Sequence, residues 1–385
     1  MHPLFVVAAP GLEAIVAAEV AAILPGSAPT IEAGGVAVAA DDLGLYALNL
    51  RLRAATRVLV RVGEFTAPSF AVLHRRAGAC PWERFLRPGQ AIVVRASAER
   101  SRLYHTGGIA ERIARGIGDR LGVAPALVRA SDDDEREDDA ALIVARVARD
   151  RCTLSVDASG EALSRRGYRQ ATAKAPLRES LAAGILLAVA EAGEAIVDPM
   201  CGSGTFPIEA ALRALRIAPG LRRRFAFMGW PGFAGDAQGE GAWEGLVAAA
   251  RSEGRAAAPA PIGASDRDPG AIAAAQANAA RAGVDGVITI TRAELAEARA
   301  PCERGLVVMN PPYGVRIGER RGLARRYAAL GEALRRGFAG AGLAWRAAIL
   351  APAGGLARET GLELAPRLRL KNGGIAVELW VGPIG

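Results

Sequence analysis

Ile196-Val197-Asp198-Pro199-Met200-Cys201-Gly202-Ser203-Gly204-Thr205-Phe206-Pro207-Ile208-Glu209-Ala210 is an apolar run closed by an acid, then a glycine-rich turn, then a second apolar stretch. That order predicts a buried strand over Ala195–Asp198, a turn through Gly202 and Gly204, and a helix over Thr205–Arg216. In an open α/β sheet, ligands sit in the crevice beyond the carboxyl ends of the strands, beside such a turn. Gly202 and Gly204 allow the backbone to approach a ligand with no Cβ in the way. A dinucleotide fingerprint needs a third glycine near the place of Ile208 or Glu209, and a phosphate cradle needs a Gly-Lys-Ser/Thr that is absent. What remains is a nucleoside without phosphates, with Asp198 placed to hold a cationic amino group. S-adenosylmethionine meets those demands, and Asp198, Pro199, Cys201, Gly202, Gly204 and Thr205 are the candidate cofactor residues.

Downstream, strands alternate with helices: Ile262–Asp266, Pro269–Ala282, Val287–Ile290, Leu306–Met309, Arg326–Phe338 and Trp345–Leu350. This spacing predicts a mostly parallel, doubly wound Rossmann-like sheet. Ile262-Gly263-Ala264-Ser265-Asp266-Arg267-Asp268-Pro269 ends the next strand in an acid. Asp266, with Arg267 beside it, is placed to meet ribose hydroxyls. Asp268 precedes Pro269 and reads as a helix N-cap.

Val307-Val308-Met309-Asn310-Pro311-Pro312-Tyr313-Gly314 bears on the reaction. Pro311 restricts Asn310 to extended backbone, and the proline pair stiffens the turn. The platform presents two acceptors, the Asn310 amide oxygen and the Pro311 carbonyl. An exocyclic amine on a base is a poor nucleophile, and two acceptors gripping its hydrogens position it for methyl transfer. Tyr313 offers a face for an extruded base. Asn310, Pro311, Pro312 and Tyr313 are the catalytic candidates, with Asn310 also beside the cofactor.

The N-terminal half reads as α+β. Strands are expected at Leu4–Ala8, Gly35–Ala39, Arg57–Phe65, Ala91–Ala96, Ala141–Ala148 and Cys152–Val156, with helices at Glu13–Ile23 and Thr106–Leu121. Arg51 to Arg120 holds fourteen arginines against five acids, and the alternation of Arg57 to Val62 predicts a strand under a basic face. The acidic run 132–139 reads as a solvated loop. Ser164 to Arg169 reads as a basic joint rather than a core element. His105 and His74 read as structural. Arg320, Arg321, Arg325 and Arg326 are a candidate phosphate grip.

The 385 residues suggest two or three domains, and the formal charge of +8 permits a polyanionic partner without demanding one. The four cysteines, Cys80, Cys152, Cys201 and Cys302, have no spacing for a zinc site, an iron–sulfur cluster or a disulfide framework, so no metal is expected. Met1 to Pro10 has no basic leader, and Leu181 to Ala190 is too short to span a membrane. A cytoplasmic protein is the expectation.

Taken together, these motifs resemble the THUMP-domain family of class I RNA methyltransferases, in the branch that makes N2-methylguanosine. The likeness extends to Lys174-Ala175-Pro176-Leu177-Arg178-Glu179-Ser180-Leu181-Ala182-Ala183, Ile217-Ala218-Pro219-Gly220-Leu221, Asn310 to Gly318 and Lys371-Asn372-Gly373-Gly374. Ser101-Arg102-Leu103-Tyr104-His105-Thr106 is similar to the family's THUMP signature. The resemblance implies structured RNA as partner, ribosomal RNA ahead of tRNA. It gives Glu294 the adenine-holding place usually taken by Asp, and sets Arg165 and Arg166 along the RNA. It also implies an N-terminal ferredoxin-like piece over 1–50, a THUMP domain over 51–160 and the catalytic domain over 161–385. Other readings stay open at this point: an adenine-N6 methyltransferase, a protein glutamine methyltransferase, or a scaffold without turnover.

Overall fold

The computed structural model describes residues 1–129, 140–170, 177–313 and 320–385. The acidic run 132–139, Lys174-Ala175-Pro176, Gly314 to Gly318 and the side chains of Arg320 and Arg321 lie outside the described residues.

The elements begin β1 (His2–Ala8), α1 (Glu13–Ile23), β2 (Thr30–Glu32), β3 (Gly35–Ala40), α2 (Asp42–Arg51), β4 (Ala55–Thr66) and α3 (Phe70–Gly78). Then come β5 (Ile92–Glu99), α4 (Thr106–Leu121), β6 (Leu127–Val128), β7 (Ala141–Ala148), β8 (Arg151–Asp157) and α5 (Glu179–Val189). There follow β9 (Ala195–Asp198), α6 (Thr205–Ala214), α7 (Ala237–Ser252), β10 (Ile262–Asp266), α8 (Pro269–Ala282) and β11 (Ile288–Arg292). Last are β12 (Arg304–Met309), α9 (Arg320–Phe338), β13 (Ala344–Pro352), β14 (Ala365–Asn372) and β15 (Ile375–Pro383). The chain divides into two compact units. One is Met1–Val7, Ala17–Leu163 and Arg223–Ala249; the other is Ala8–Val16, Ser164–Arg222 and Ala250–Gly385.

The first unit is built on an eight-stranded sheet in the order β2-β3-β1-β4-β8-β7-β5-β6. Its β1–β3, β4–β8 and β7–β8 pairs are antiparallel, and β5 runs parallel to β7. Helix α4 buries Ile109, Ile113 and Ile117 at the four-residue spacing of one helix face. His105 caps it, its ring Nδ1 accepting the Gly108 N–H at 2.8 Å, and Gly122 ends it at φ +77°. The segment Arg223–Ala249 joins this unit through aromatic packing: Phe227 stacks on Tyr46 at 4.6 Å and Trp230 meets Phe85 edge-on at 4.9 Å.

The basic face expected over Arg57 to Val62 is not what the fold makes. Arg57 is buried and pairs with the buried Asp157 at 2.8 Å. Arg61 lies over the Phe5 ring and pairs with Glu32. A guanidinium among apolar neighbours is a surface group only if no acid reaches it, and here strand pairing delivers one from far along the chain.

The second unit carries a seven-stranded sheet in the order β11-β10-β9-β12-β13-β15-β14. Strands β11, β10, β9, β12 and β13 are parallel, and β15 pairs antiparallel with β13 and β14. This is the mostly parallel Rossmann-like sheet that the motif spacing predicts. On one face, α9 lays Leu323, Tyr327, Leu330, Leu334 and Phe338 against Val307, Met309, Ile349 and Trp380. From β9 the chain steps outward through β10 to β11, then returns to the other side of β9 with β12. The reversal opens a crevice between β9 and β12 at the carboxyl ends of the strands, the usual ligand position in such sheets.

Candidate active site

Asp198, Asp266 and Asn310 stand at the carboxyl ends of β9, β10 and β12, three strands that lie side by side in the order β10-β9-β12. Asp198 is buried, and its Oδ1 accepts the Met200 N–H at 3.0 Å. Burial pushes its carboxyl up to about 8, the Met200 N–H opposes that rise, and the charge of Asp266 adds to it. Among the described residues no cation pairs with it, so the pocket is suited to a charged amine brought by a ligand.

The turn that follows is held from below. The Cys201 N–H donates to Ser265 O at 3.0 Å and the Gly202 N–H to Asp266 Oδ2 at 3.0 Å. The other Asp266 oxygen accepts the Asp268 N–H at 3.0 Å. Each carboxylate oxygen keeps a lone pair beyond these contacts, enough to accept from ribose hydroxyls. Gly202 has φ +53° and nothing within 4 Å of where a Cβ would stand. Gly204 has φ +85°, and a Cβ there would meet Ala275 Cβ at 3.1 Å. The two glycines thus do different work: Gly204 lets α6 approach α8, while Gly202 borders open space. Pro199 is buried, as is Cys201, whose thiol is pushed well up, first by burial and then by Asp198 and Asp266. These groups fit S-adenosylmethionine: a buried acid with no cation on it among the described residues for the ammonium, an acid for the ribose, and a glycine without a side chain between them.

Thr205 opens α6, and its hydroxyl, with that of Ser203, is held by Arg169. The guanidinium donates to Thr205 Oγ1 at 2.7 Å, Ser203 Oγ at 3.3 Å, Glu179 Oε1 at 2.8 Å and the Leu177 carbonyl at 3.0 Å. Sequence reasoning did not place Arg169 at the site. It also set Arg166 along RNA, and the structure corrects that. Arg166 is buried in a two-pronged pair with Glu209, at 3.2 and 3.3 Å, and the Tyr168 hydroxyl donates to the same carboxylate at 3.0 Å. Arg166, Tyr168 and Arg169 therefore form a polar brace under the turn rather than a basic joint. One signal was available: Glu209 is an acid in the middle of a buried apolar helix, and such an acid needs a cation. Arg165 is exposed.

Asp268 caps α8 through Gly270 and Ala271, leaving Asp266 as the acid free for a ligand. Arg267 is exposed and its carbonyl accepts from Arg292. Glu294 follows β11 and is exposed; it caps a short 3-10 turn in a capping box with Glu297. Beyond β12, Asn310 is half-buried, Pro311 buried, Pro312 exposed and Tyr313 half-buried. The Tyr313 hydroxyl donates to Asn310 Oδ1 at 2.5 Å and accepts from Asn372 Nδ2 at 3.0 Å. Burial pushes the Tyr313 phenol up to about 12, against the hydrogen bond from Asn372. Among the described residues no group of three or more His, Cys, Asp or Glu could hold a metal ion, and no helix is long and apolar enough to cross a membrane.

Comparison with known proteins agrees with this geometry. Residues 166–359 match the family model for the RMKL-like methyltransferase domain, and residues 3–59 match that of the RlmL ferredoxin-like domain. A putative RNA methyltransferase of Synechocystis sp. is 33% identical over 98% of this chain and 96% of its own length. The ribosomal RNA large subunit methyltransferase K/L of Syntrophotalea carbinolica is 40% identical over 87% of this chain and 47% of its own. The chain spans about half the length of the K/L relatives it matches. Among solved structures, a putative methyltransferase complexed with SAH superposes with a TM-score of 0.85 at 28% identity, covering 99% of this chain and 97% of its own. The match of sequence over half of the chain, and of fold over nearly all of it, shows that the chain belongs to the RMKL-like methyltransferase family.

Proposed function

We propose that this chain transfers a methyl group from S-adenosylmethionine to the exocyclic N2 of a guanosine in RNA, ribosomal RNA ahead of tRNA. The observation that carries the reading is Asn310 at the β9–β12 switch point, its amide oxygen an acceptor with one lone pair still open. The cofactor is S-adenosylmethionine, in line with the SAH held by the structural relative. When bound, it supplies an electrophilic methyl on a sulfonium. Asp198 holds the ammonium, Gly202 leaves room, Asp266, with Arg267 beside it, meets the ribose, and Glu294 borders the adenine. Asn310 Oδ1 and the Pro311 carbonyl grip the amine hydrogens, while Pro312 keeps the turn rigid. Tyr313 provides the stacking surface. The proton leaves to water after transfer, so no strong general base is needed.

Guanine rather than adenine rests on the family resemblance alone; ribosomal RNA as target rests on that resemblance and on the names of the K/L relatives. In the proposed division, residues 1–50 form the ferredoxin-like piece, 51–160 a THUMP domain that grips RNA, and 161–385 the catalytic domain.

The test is methyl transfer from labelled S-adenosylmethionine to ribosomal RNA and tRNA from cells lacking this protein, followed by nucleoside mass spectrometry. N2-methylguanosine in one RNA class is expected. N6-methyladenine would replace the base in the proposal, and no label in either RNA would refute it. Asn310→Ala is expected to abolish transfer with cofactor affinity held within about threefold, as befits a group acting on the substrate amine.

A further inference from the structure

Lys371-Asn372-Gly373-Gly374 closes the β14–β15 hairpin, some sixty residues from the catalytic turn in sequence, yet its Asn372 side chain is buried against that turn. The contacts run Asn372 Nδ2 to the Tyr313 hydroxyl at 3.0 Å, and the Tyr313 hydroxyl to Asn310 Oδ1 at 2.5 Å. Direction in this chain is forced by donor and acceptor chemistry. An amide nitrogen carries protons and offers no lone pair, so Asn372 can only donate to the phenol. A phenol has one proton, and having accepted from Asn372 it turns that proton toward residue 310. A proton pointed at the Asn310 amide is met by its oxygen and repelled by its nitrogen.

We infer that Asn372 is a positioning residue which, through the Tyr313 hydroxyl, fixes the end-over-end orientation of the Asn310 amide so that its oxygen faces the substrate amine. The inference rests on the reading of Asn310 as the amine acceptor. Turned over, the amide would oppose one N–H with another, and the grip would become a repulsion. The second lone pair on Oδ1 stays open for the substrate. Asn372 is buried, so its amide has little water to bond in place of the Tyr313 hydroxyl.

The experiment uses the full chain, labelled S-adenosylmethionine and large-subunit ribosomal RNA from cells lacking this protein. It compares wild type with Asn372→Asp, Asn372→Ala and Tyr313→Phe, with Asn310→Ala as control. A carboxylate at position 372 has acceptors only. It draws the phenol proton to itself, leaves the phenol oxygen facing residue 310, and turns the amide over. Asn372→Asp is expected to lose about tenfold or more in kcat at pH 8, with KM for the cofactor within about twofold. Acidification restores a donor at that carboxyl, so its kcat relative to wild type is expected to recover as pH falls. Asn372→Ala and Tyr313→Phe are expected to show a loss in kcat with no such recovery. Because Asn372 is buried, thermal melts accompany each variant, and Tyr313→Phe, which keeps the ring, decides the matter should a change at position 372 prevent folding.

Wild-type kcat in Asn372→Asp at pH 8, or in Tyr313→Phe, overturns the inference. So does an Asn372→Asp loss that acidification leaves unchanged, since that is what a space-filling role gives. No label from wild type, or continued transfer by Asn310→Ala, refutes the reading of Asn310 itself and removes the ground of the inference.

Discussion

Replacing Asp198 by asparagine tests the proposal that this carboxyl holds the cofactor's ammonium. The carboxyl is buried, no cation among the described residues pairs with it, and it is pushed up to about 8, so at pH 7 about 0.9 of the cofactor-free chains carry it neutral. An ammonium in the pocket demands the carboxylate. Binding of S-adenosylhomocysteine at pH 7 should therefore release about 0.9 proton, and affinity should rise about tenfold per pH unit below 8 and level off above it. Stability moves the opposite way. The folded state holds this proton between the unfolded value of 3.8 and about 8, so stability falls as pH rises through that window, by at most about 1.4 kcal/mol per unit. An amide at this position cannot ionise, and the Asp198→Asn variant should gain about 2–3 kcal/mol on wild type between pH 5 and pH 7 while losing cofactor binding. Calorimetry in buffers of different ionisation enthalpy gives the proton count, and denaturant unfolding at pH 5, 6 and 7 gives the slope. Parallel stability curves, or cofactor affinity flat from pH 6 to pH 8, would show that the carboxyl is already ionised and that the argument from burial is wrong.

Three further outcomes follow from the same unit. Glu209→Ala leaves Arg166 buried without its carboxylate and should cost about 3–5 kcal/mol in denaturant unfolding, where a surface arginine pair would cost under about 1. Arg169→Ala removes the donors on Ser203 and Thr205, so cofactor affinity measured by calorimetry should fall while kcat at saturating cofactor changes little; an equal fall in kcat would place Arg169 elsewhere in the mechanism. The two glycines should separate: Gly204→Ala meets Ala275 as well as an unfavourable φ and loses more stability, whereas Gly202→Ala bears only the left-handed backbone, about 1–2 kcal/mol, and loses more cofactor affinity.

Local signals carried a good part of the reading. Strands β7, β9 and β10 and helices α1, α4 and α8 occupy the residues that apolar periodicity, capping and turn chemistry assign to them. Helix α2 is passed over by that reading because its apolar content is diluted by Gly44 and Asn49 within a short span, although Asp41 caps it. Helix α3 fails to stand out because only Leu73 and Ala77 are buried in it, with Ser69 as its cap. Arg166 misleads for a different reason. Nothing in Ser164 to Arg169 distinguishes a guanidinium bound for solvent from one that will meet Glu209 over forty residues later.

By itself, then, the sequence determined the strand–turn–helix order, the glycine turn, the acids at the strand ends and the Asn-Pro-Pro-Tyr platform, since each is written in neighbours a few residues apart. Only the tertiary structure decided which charges are buried, that Arg169 holds Ser203 and Thr205 in the glycine-rich turn, and that Asn372 reaches Tyr313. Those outcomes depend on partners brought together by sheet order and helix packing. A hydrogen bond or ion pair between distant residues leaves no periodicity in the chain to read.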